Sequence, residues 1–253
     1  MPLLPIFFFV TALVYASIGF GGGSTYNALL VLGGEDYRHI PAIALICNII
    51  VVSGGVWRFS AAGHTRLSRL WPWLMASIPA AWLGGRLEVS ESVFTGLLGA
   101  SLLFAGIRLL SNRRQSAVAS VSHPKGPLFV AFGAGGLLGL LSGIVGIGGG
   151  IFLAPILYFL NWGRPKEIAA ACSLFILVNS LAGLLGQSTK LAASDDIPTL
   201  LQHWPLFIAV LIGGQIGARL GASRIPPGFI QTLTGILIVY VALRLLYRFT
   251  ALL

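Results

Sequence analysis

Apolar residues run along the chain in long blocks, at roughly 3–33, 40–57, 70–85, 92–110, 127–161, 167–186, 203–221 and 228–247, separated by short polar clusters. A helix needs about 20 apolar residues to cross a hydrocarbon core, and six of these blocks are near that length. The connections carry turn chemistry: Gly33-Gly34-Glu35-Asp36, Ser111-Asn112-Arg113-Arg114, Asn161-Trp162-Gly163-Arg164-Pro165 and Pro226-Pro227-Gly228. The blocks at 3–33 and 127–161 are too long for one straight span and too short for two. Each is broken by glycines, Gly19-Phe20-Gly21-Gly22-Gly23 and Gly146-Ile147-Gly148-Gly149-Gly150. Glycine costs about 1 kcal/mol per residue inside a helix, so each block predicts a helix, a break, and a half-helix of about three turns.

Composition turns this pattern into a class. Of 253 residues 56% are hydrophobic and 9% charged, with a mean hydropathy of +0.90. A soluble domain carries about 25% charged residues to cover its surface. The chain therefore reads as an all-α integral membrane protein, with the lipid bilayer as its solvent. The net charge of +9 would suggest nucleic acid in a soluble protein. Here the basic residues fall between apolar blocks, where they set orientation, so no nucleic-acid partner is expected. Trp57, Trp71, Trp73, Trp162 and Trp204 sit near block ends, as an aromatic belt does. Basic residues begin only at Arg38, so the start of a secretory signal is missing and the first block is expected to stay in the fold. Cys47 and Cys172 lie inside apolar blocks and imply no disulfide framework.

The two broken blocks expose a duplication. Ser17-Ile18-Gly19-Phe20-Gly21-Gly22-Gly23 lies over Ile144-Val145-Gly146-Ile147-Gly148-Gly149-Gly150. Asn48 and Gly55 then match Asn179 and Gly186, and Gly84-Gly85-Arg86-Leu87 matches Gly217-Ala218-Arg219-Leu220. Gly99 with Ile107-Arg108-Leu109-Leu110 matches Gly235 with Leu243-Arg244-Leu245-Leu246. The chain thus divides into homologous halves, 1–112 and 127–253, joined by a polar linker at 113–126. If each broken block spans, the halves are parallel; if each half-helix is re-entrant, three further spans per half make them inverted. The second arrangement sets Arg38, Arg86, Lys190, Arg244 and Arg248 against eleven other basic residues, a slightly sharper split than six against ten, and favours inverted halves.

Duplicated halves with matching interrupted segments point to a secondary transporter. Half-helix N-termini offer free N–H groups and a positive dipole end, which suits an anion near the midplane. All seven acidic residues, Glu35, Asp36, Glu88, Glu91, Glu167, Asp195 and Asp196, fall in loops or at interfaces, against a carboxylate-based cation or proton pathway. His39, His64, His123 and His203 share no ligand spacing, so no metal or cofactor site is expected. No nucleophile–base pairing stands out, so no catalytic residue is assigned and an enzyme is disfavoured.

The G-x-G-G-G motif opening each half, with Leu153-Ala154-Pro155-Ile156-Leu157 after the second copy, resembles the TauE/SafE family of sulfite exporters. The first copy departs from it, with Asn27-Ala28 in place of Ala154-Pro155. The resemblance implies movement of a small sulfur-containing anion, sulfite or an organosulfonate such as sulfoacetate, across a bacterial inner membrane. A passive anion channel, or a membrane enzyme or assembly factor, stays as the alternative. The anion site is expected at Gly21, Gly22, Gly23 and Gly148, Gly149, Gly150, whose other role is tight helix packing. Ser24 and Thr25 either donate hydroxyls or cap the half-helix. Asn48 and Asn179 are paired amides that either donate to an oxyanion or tie helices together, with Ser173, Ser180 and Gln215 weaker members of the same kind. Arg86 and Arg219 match oxyanions by their forks, although snorkelling from a helix end explains them as well. Gly135, Gly139 and Gly143, with Gly213, Gly217 and Gly221, read as packing stripes.

Overall fold

A computed structural model describes residues 3–17, 19–111, 128–193, 197–220 and 227–252. The linker at 113–126 and, with it, His123, Asp195, Asp196, Gly221 and Arg224 lie outside the described residues. The described chain is all helical: α1 (Leu4–Ser17), α2 (Gly23–Leu32), α3 (Ile40–Ala61), α4 (Leu67–Arg86), α5 (Glu91–Ser111), α6 (Leu128–Val145), α7 (Gly150–Phe159), α8 (Pro165–Ala193), α9 (Ile197–Leu201), α10 (Trp204–Leu220) and α11 (Pro227–Leu252). Among the described residues, four helices are long and apolar enough to cross a bilayer by length and composition: Ile40–Ala61, Glu91–Arg108, Leu128–Val145 and Pro165–Ala192. Large apolar side chains such as Phe7, Met75, Phe129 and Ile208 point outward, while Asn27, Asn48, Asn179 and Gln187 are buried. This is the inside-out polarity a bilayer permits and water does not.

Both long blocks break at their glycines, and both second arms are ten residues, about three turns. The first arm is shorter than a full span: α1 has 14 residues. In the other direction α8 runs past the expected end at 186 to Ala193. The reason is that its polar residues there are satisfied in place. Gln187 Nε2 donates to the Gly143 carbonyl at 2.9 Å and Lys190 Nζ to the Leu87 carbonyl at 3.1 Å.

Glycine sets how the helices meet. Along α6, Gly135, Gly139 and Gly143 lie against the backbone of Trp73, Ser77 and Ala81, so α6 runs parallel to α4 in near backbone contact. Gly213 and Gly217 do the same for α10 against Phe9 and Leu13 of α1. A side chain at any of these positions would overlap a carbonyl oxygen, which explains stripes spaced by four. Around these pairs α3 packs on α8 and α5 on α11. Helix α2 turns back along α1: Phe8 stacks on Tyr26 with ring centroids 4.8 Å apart, and Gly33 ends beside Leu4.

Candidate functional site

Two half-helices start in the protein interior, and each start is a glycine that only glycine fills cheaply. Gly22, preceding α2, has φ 87°, and Gly149, preceding α7, has φ 76°. Both are left-handed conformations that an L side chain adopts at a cost of about 1–2 kcal/mol. The backbone ladder of α2 begins with the Thr25 and Tyr26 N–H groups on the Gly22 carbonyl; that of α7 begins with Phe152 and Leu153 on Gly149. The N–H groups ahead of those points are the free donors of a helix start.

The two starts meet. A Cβ built on Gly23 would stand 2.6 Å from the Ile147 carbonyl oxygen and 2.6 Å from Asn48 Nδ2. One on Gly148 would stand 3.0 Å from Asn48 Nδ2 and 3.3 Å from Ser180 Oγ, and one on Gly21 would overlap Asn48 Oδ1. The fully buried Asn48 amide therefore lies between both breaks. Its Nδ2 donates to the Gly146 carbonyl at 3.3 Å, while its Oδ1 has no hydrogen-bond partner. Asn27, one turn into α2, donates from Nδ2 to the Val145 carbonyl at 2.8 Å. Two amides from the first half thus hold the carbonyls that open the second break. In the opposite sense Ser173 donates from Oγ to the Gly19 carbonyl. Ile176 brings its side chain against Gly148 and Gly150 and supplies the apolar wall.

Of the residues expected from sequence, Gly21, Gly22, Gly23, Gly148, Gly149, Gly150 and Asn48 are gathered here. Ser24 and Thr25 are buried beside them, but the Thr25 hydroxyl donates to the Tyr15 hydroxyl at 3.0 Å and so ties α2 to α1. Asn179 is buried and turns its Nδ2 to the Phe175 carbonyl, one turn back on its own helix, at 2.8 Å. It shares the repeat position of Asn48 without sharing its contacts. Arg86 and Arg219 are exposed at the ends of α4 and α10, with the Arg86 guanidinium 4.6 Å from the centre of the Trp82 ring. Sequence reading missed Asn27 and ranked Ser180 low. The signal for Asn27 was its departure from the second copy, where alanine stands.

The two ends of the site differ. On one, the Phe59 ring packs over Gly19. On the other, Pro41 packs against Gly146 and lines, with Ile144, a cavity of about 320 Å³. Arg38, Glu88, Gln187 and Lys190 also line this cavity, which sets two cations and one carboxylate around it. Among the described residues no group of three or more His, Cys, Asp or Glu could hold a metal ion, and both cysteines are buried thiols.

The sequence model of the family described as Sulfite exporter TauE/SafE matches residues 3–245. A probable membrane transporter protein of Sinorhizobium fredii is 34% identical over 96% of the chain and 97% of its own length. A second probable membrane transporter protein, from Xylella fastidiosa, is 29% identical over 90% of the chain and 88% of its own length. No solved structure gives a significant match.

Proposed function

We propose that this chain, which belongs to the TauE/SafE family of sulfite exporters and is a multi-pass membrane transporter, is a secondary transporter of a small sulfur-containing anion. The substrate is sulfite or an organosulfonate such as sulfoacetate, moved across a bacterial inner membrane by alternating access. One observation carries this reading: two half-helix starts converge on a fully buried amide with a free polar atom. Free N–H groups and two positive dipole ends favour an anion in a low-dielectric interior. Gly21, Gly22, Gly23, Gly148, Gly149 and Gly150 supply backbone donors, and Asn48 with Ser180 supplies the side-chain lining.

In this reading 1–112 and 127–253 are inverted repeats about the linker at 113–126. Support comes from the matching helices, which run antiparallel: α3 against α8, with Gly55 at Ser173 and Leu45 at Gly183, and α5 against α11, with Gly96 at Phe249 and Gly106 at Val239. The charges support it too. Lys190 bonds the Leu87 carbonyl and Arg248 bonds Glu91, which puts both beside Arg86 on one rim, as the inverted arrangement requires. Alternating access is a change in which break is covered, from Phe59 over Gly19 to closure of the cavity beside Gly146.

Proteoliposomes loaded with unlabelled sulfite or sulfoacetate should take up the labelled anion with saturation and counterflow. Gly22→Leu and Gly149→Leu should each remove uptake, with folding checked by gel filtration. Uptake that is linear in concentration without counterflow would indicate a channel, and full activity in both folded variants would sink the glycine site.

A further inference from the structure

The Asn48 side chain leaves an acceptor free in the break. One Nδ2 hydrogen is donated to the Gly146 carbonyl, which fixes the orientation of the amide, because the flipped form would set oxygen against oxygen; the other is turned to the glycines, where an anion takes it. The amide Oδ1 is fully buried, unpartnered and directed at Gly21. Across the same break, Ser180 Oγ is also buried and unpartnered. An anion with only acceptor oxygens would satisfy the backbone N–H groups of the half-helix starts and leave the amide oxygen facing lone pairs. A buried acceptor left in that state costs about as much as a lost hydrogen bond.

Resting on the anion site proposed above, we infer that the bound species is a small monoanion carrying its own O–H or N–H donor. The anionic oxygens face the N–H groups of Gly21–Gly23 and Gly148–Gly150, and the donor faces Asn48 Oδ1 with Ser180 Oγ. For an oxyanion of sulfur(IV) this selects the hydrogen-bearing monoanion over the dianion. For sulfonates it selects those with a hydroxyl group over plain alkyl ones and over the sulfoacetate dianion, so of the two substrates named above it favours sulfite.

The test compares ethanesulfonate with 2-hydroxyethanesulfonate, two anions of equal charge and similar size, by titration calorimetry on the purified full-length protein in sodium-free buffer. The hydroxyl compound should bind at least about tenfold more tightly. Ser180→Ala, which breaks no hydrogen bond, should fold normally and reduce that preference to about threefold or less, and Asn48→Leu should abolish it while weak binding of ethanesulfonate persists. Equal affinities for the two anions in the unaltered protein would overturn the inference and leave the anion site standing. Binding of neither anion, nor of sulfite, would overturn the site itself. A preference that appears only on adding sodium would also overturn the inference, because a cation would then be filling the acceptor.

Discussion

The two glycine breaks have nearly the same sequence and are built differently. At the first, the Gly19 carbonyl takes the Ser173 hydroxyl and the Phe59 ring covers the glycine. At the second, the Gly146 and Val145 carbonyls take the amides of Asn48 and Asn27, and the Pro41 backbone lies against Gly146. One break is covered by a ring on a rotatable bond and the other is pinned by two amides against main chain. The difference continues outward. Eleven residues beyond Asn48 stands Phe59, and eleven beyond Asn179 stands Lys190, which lines the cavity. Two loops of similar sequence thus have unequal partners, a ring over one and two amides with a proline backbone on the other.

The largest expected effect breaks the comparison directly. Gly146→Ala places a Cβ 2.6 Å from Pro41 Cα, whereas Gly19→Ala places one 2.7 Å from Phe59 Cε2. Both glycines have positive φ, 81° and 83°, so both variants lose about 1–2 kcal/mol to backbone strain. A ring can swing aside but a proline backbone cannot, so Gly146→Ala should lose a further 1–3 kcal/mol or so. Unfolding in detergent followed by tryptophan fluorescence should rank Gly146→Ala well below Gly19→Ala. Equal losses would mean that the second break is as free to adjust as the first.

Next come the repeat-related amides. Asn48→Leu strips a donor from the buried Gly146 carbonyl and should cost about 1–3 kcal/mol while removing sulfite uptake. Asn179→Leu strips only a bond to the Phe175 carbonyl, which the helix ladder already serves, and should cost under about 1 kcal/mol. The Asn179 Nδ2 is turned to its own helix and away from the proposed site, so uptake by Asn179→Leu should stay within about threefold of the unaltered protein. Comparable loss of uptake in both would restore a symmetric site.

These contrasts also mark what could be read in the sequence. Helix breaks at Gly19–Gly23 and Gly146–Gly150 were legible because glycine runs defeat helix propensity locally, and the stripes at Gly135, Gly139 and Gly143 because spacing by four faces one neighbour. The amide pairing of Asn48 and Asn179 was legible only as a repeat. Which of them turns to the break depends on whether an acceptor lies across the interface, as the Gly146 carbonyl does for Asn48, or within the helix, as Phe175 does for Asn179. That is a tertiary fact with no local signature. Asn27 was hidden for the same reason, since its partner at Val145 is more than a hundred residues away.

A smaller effect separates the rims. Arg58 donates to the Ala218 carbonyl at the end of α10, and Lys190 to the Leu87 carbonyl just past α4. Each cation closes a helix C-terminus, so Arg58→Met and Lys190→Met should each lose about 0.3–1 kcal/mol. Lys190 alone also lines the cavity beside the second break. Only Lys190→Met should therefore raise the sulfite concentration for half-maximal transport, by about threefold and from one side of the vesicle membrane. A rise from both sides, or the same rise in Arg58→Met, would remove the distinction between the ring-covered end and the end that carries the cavity.

The smallest effect is expected where chemistry looked most inviting. Arg86 and Arg219 occupy equivalent repeat positions and carry the fork that recognises oxyanions, yet both are exposed at helix ends. Arg86 is further accounted for by its place over Trp82 at 4.6 Å, an arrangement that keeps the charge at the rim. If the anion is held by peptide N–H groups at the breaks, neither guanidinium is needed for binding. Arg86→Ala and Arg219→Ala should then leave saturable sulfite uptake within about twofold of the unaltered protein. A tenfold loss in Arg219→Ala alone would mean that the end of α10 swings inward when Phe59 uncovers Gly19, making the covered end the one that recruits a charge during transport. The same loss in both variants would instead restore two equivalent ends and undo the contrast drawn from the breaks.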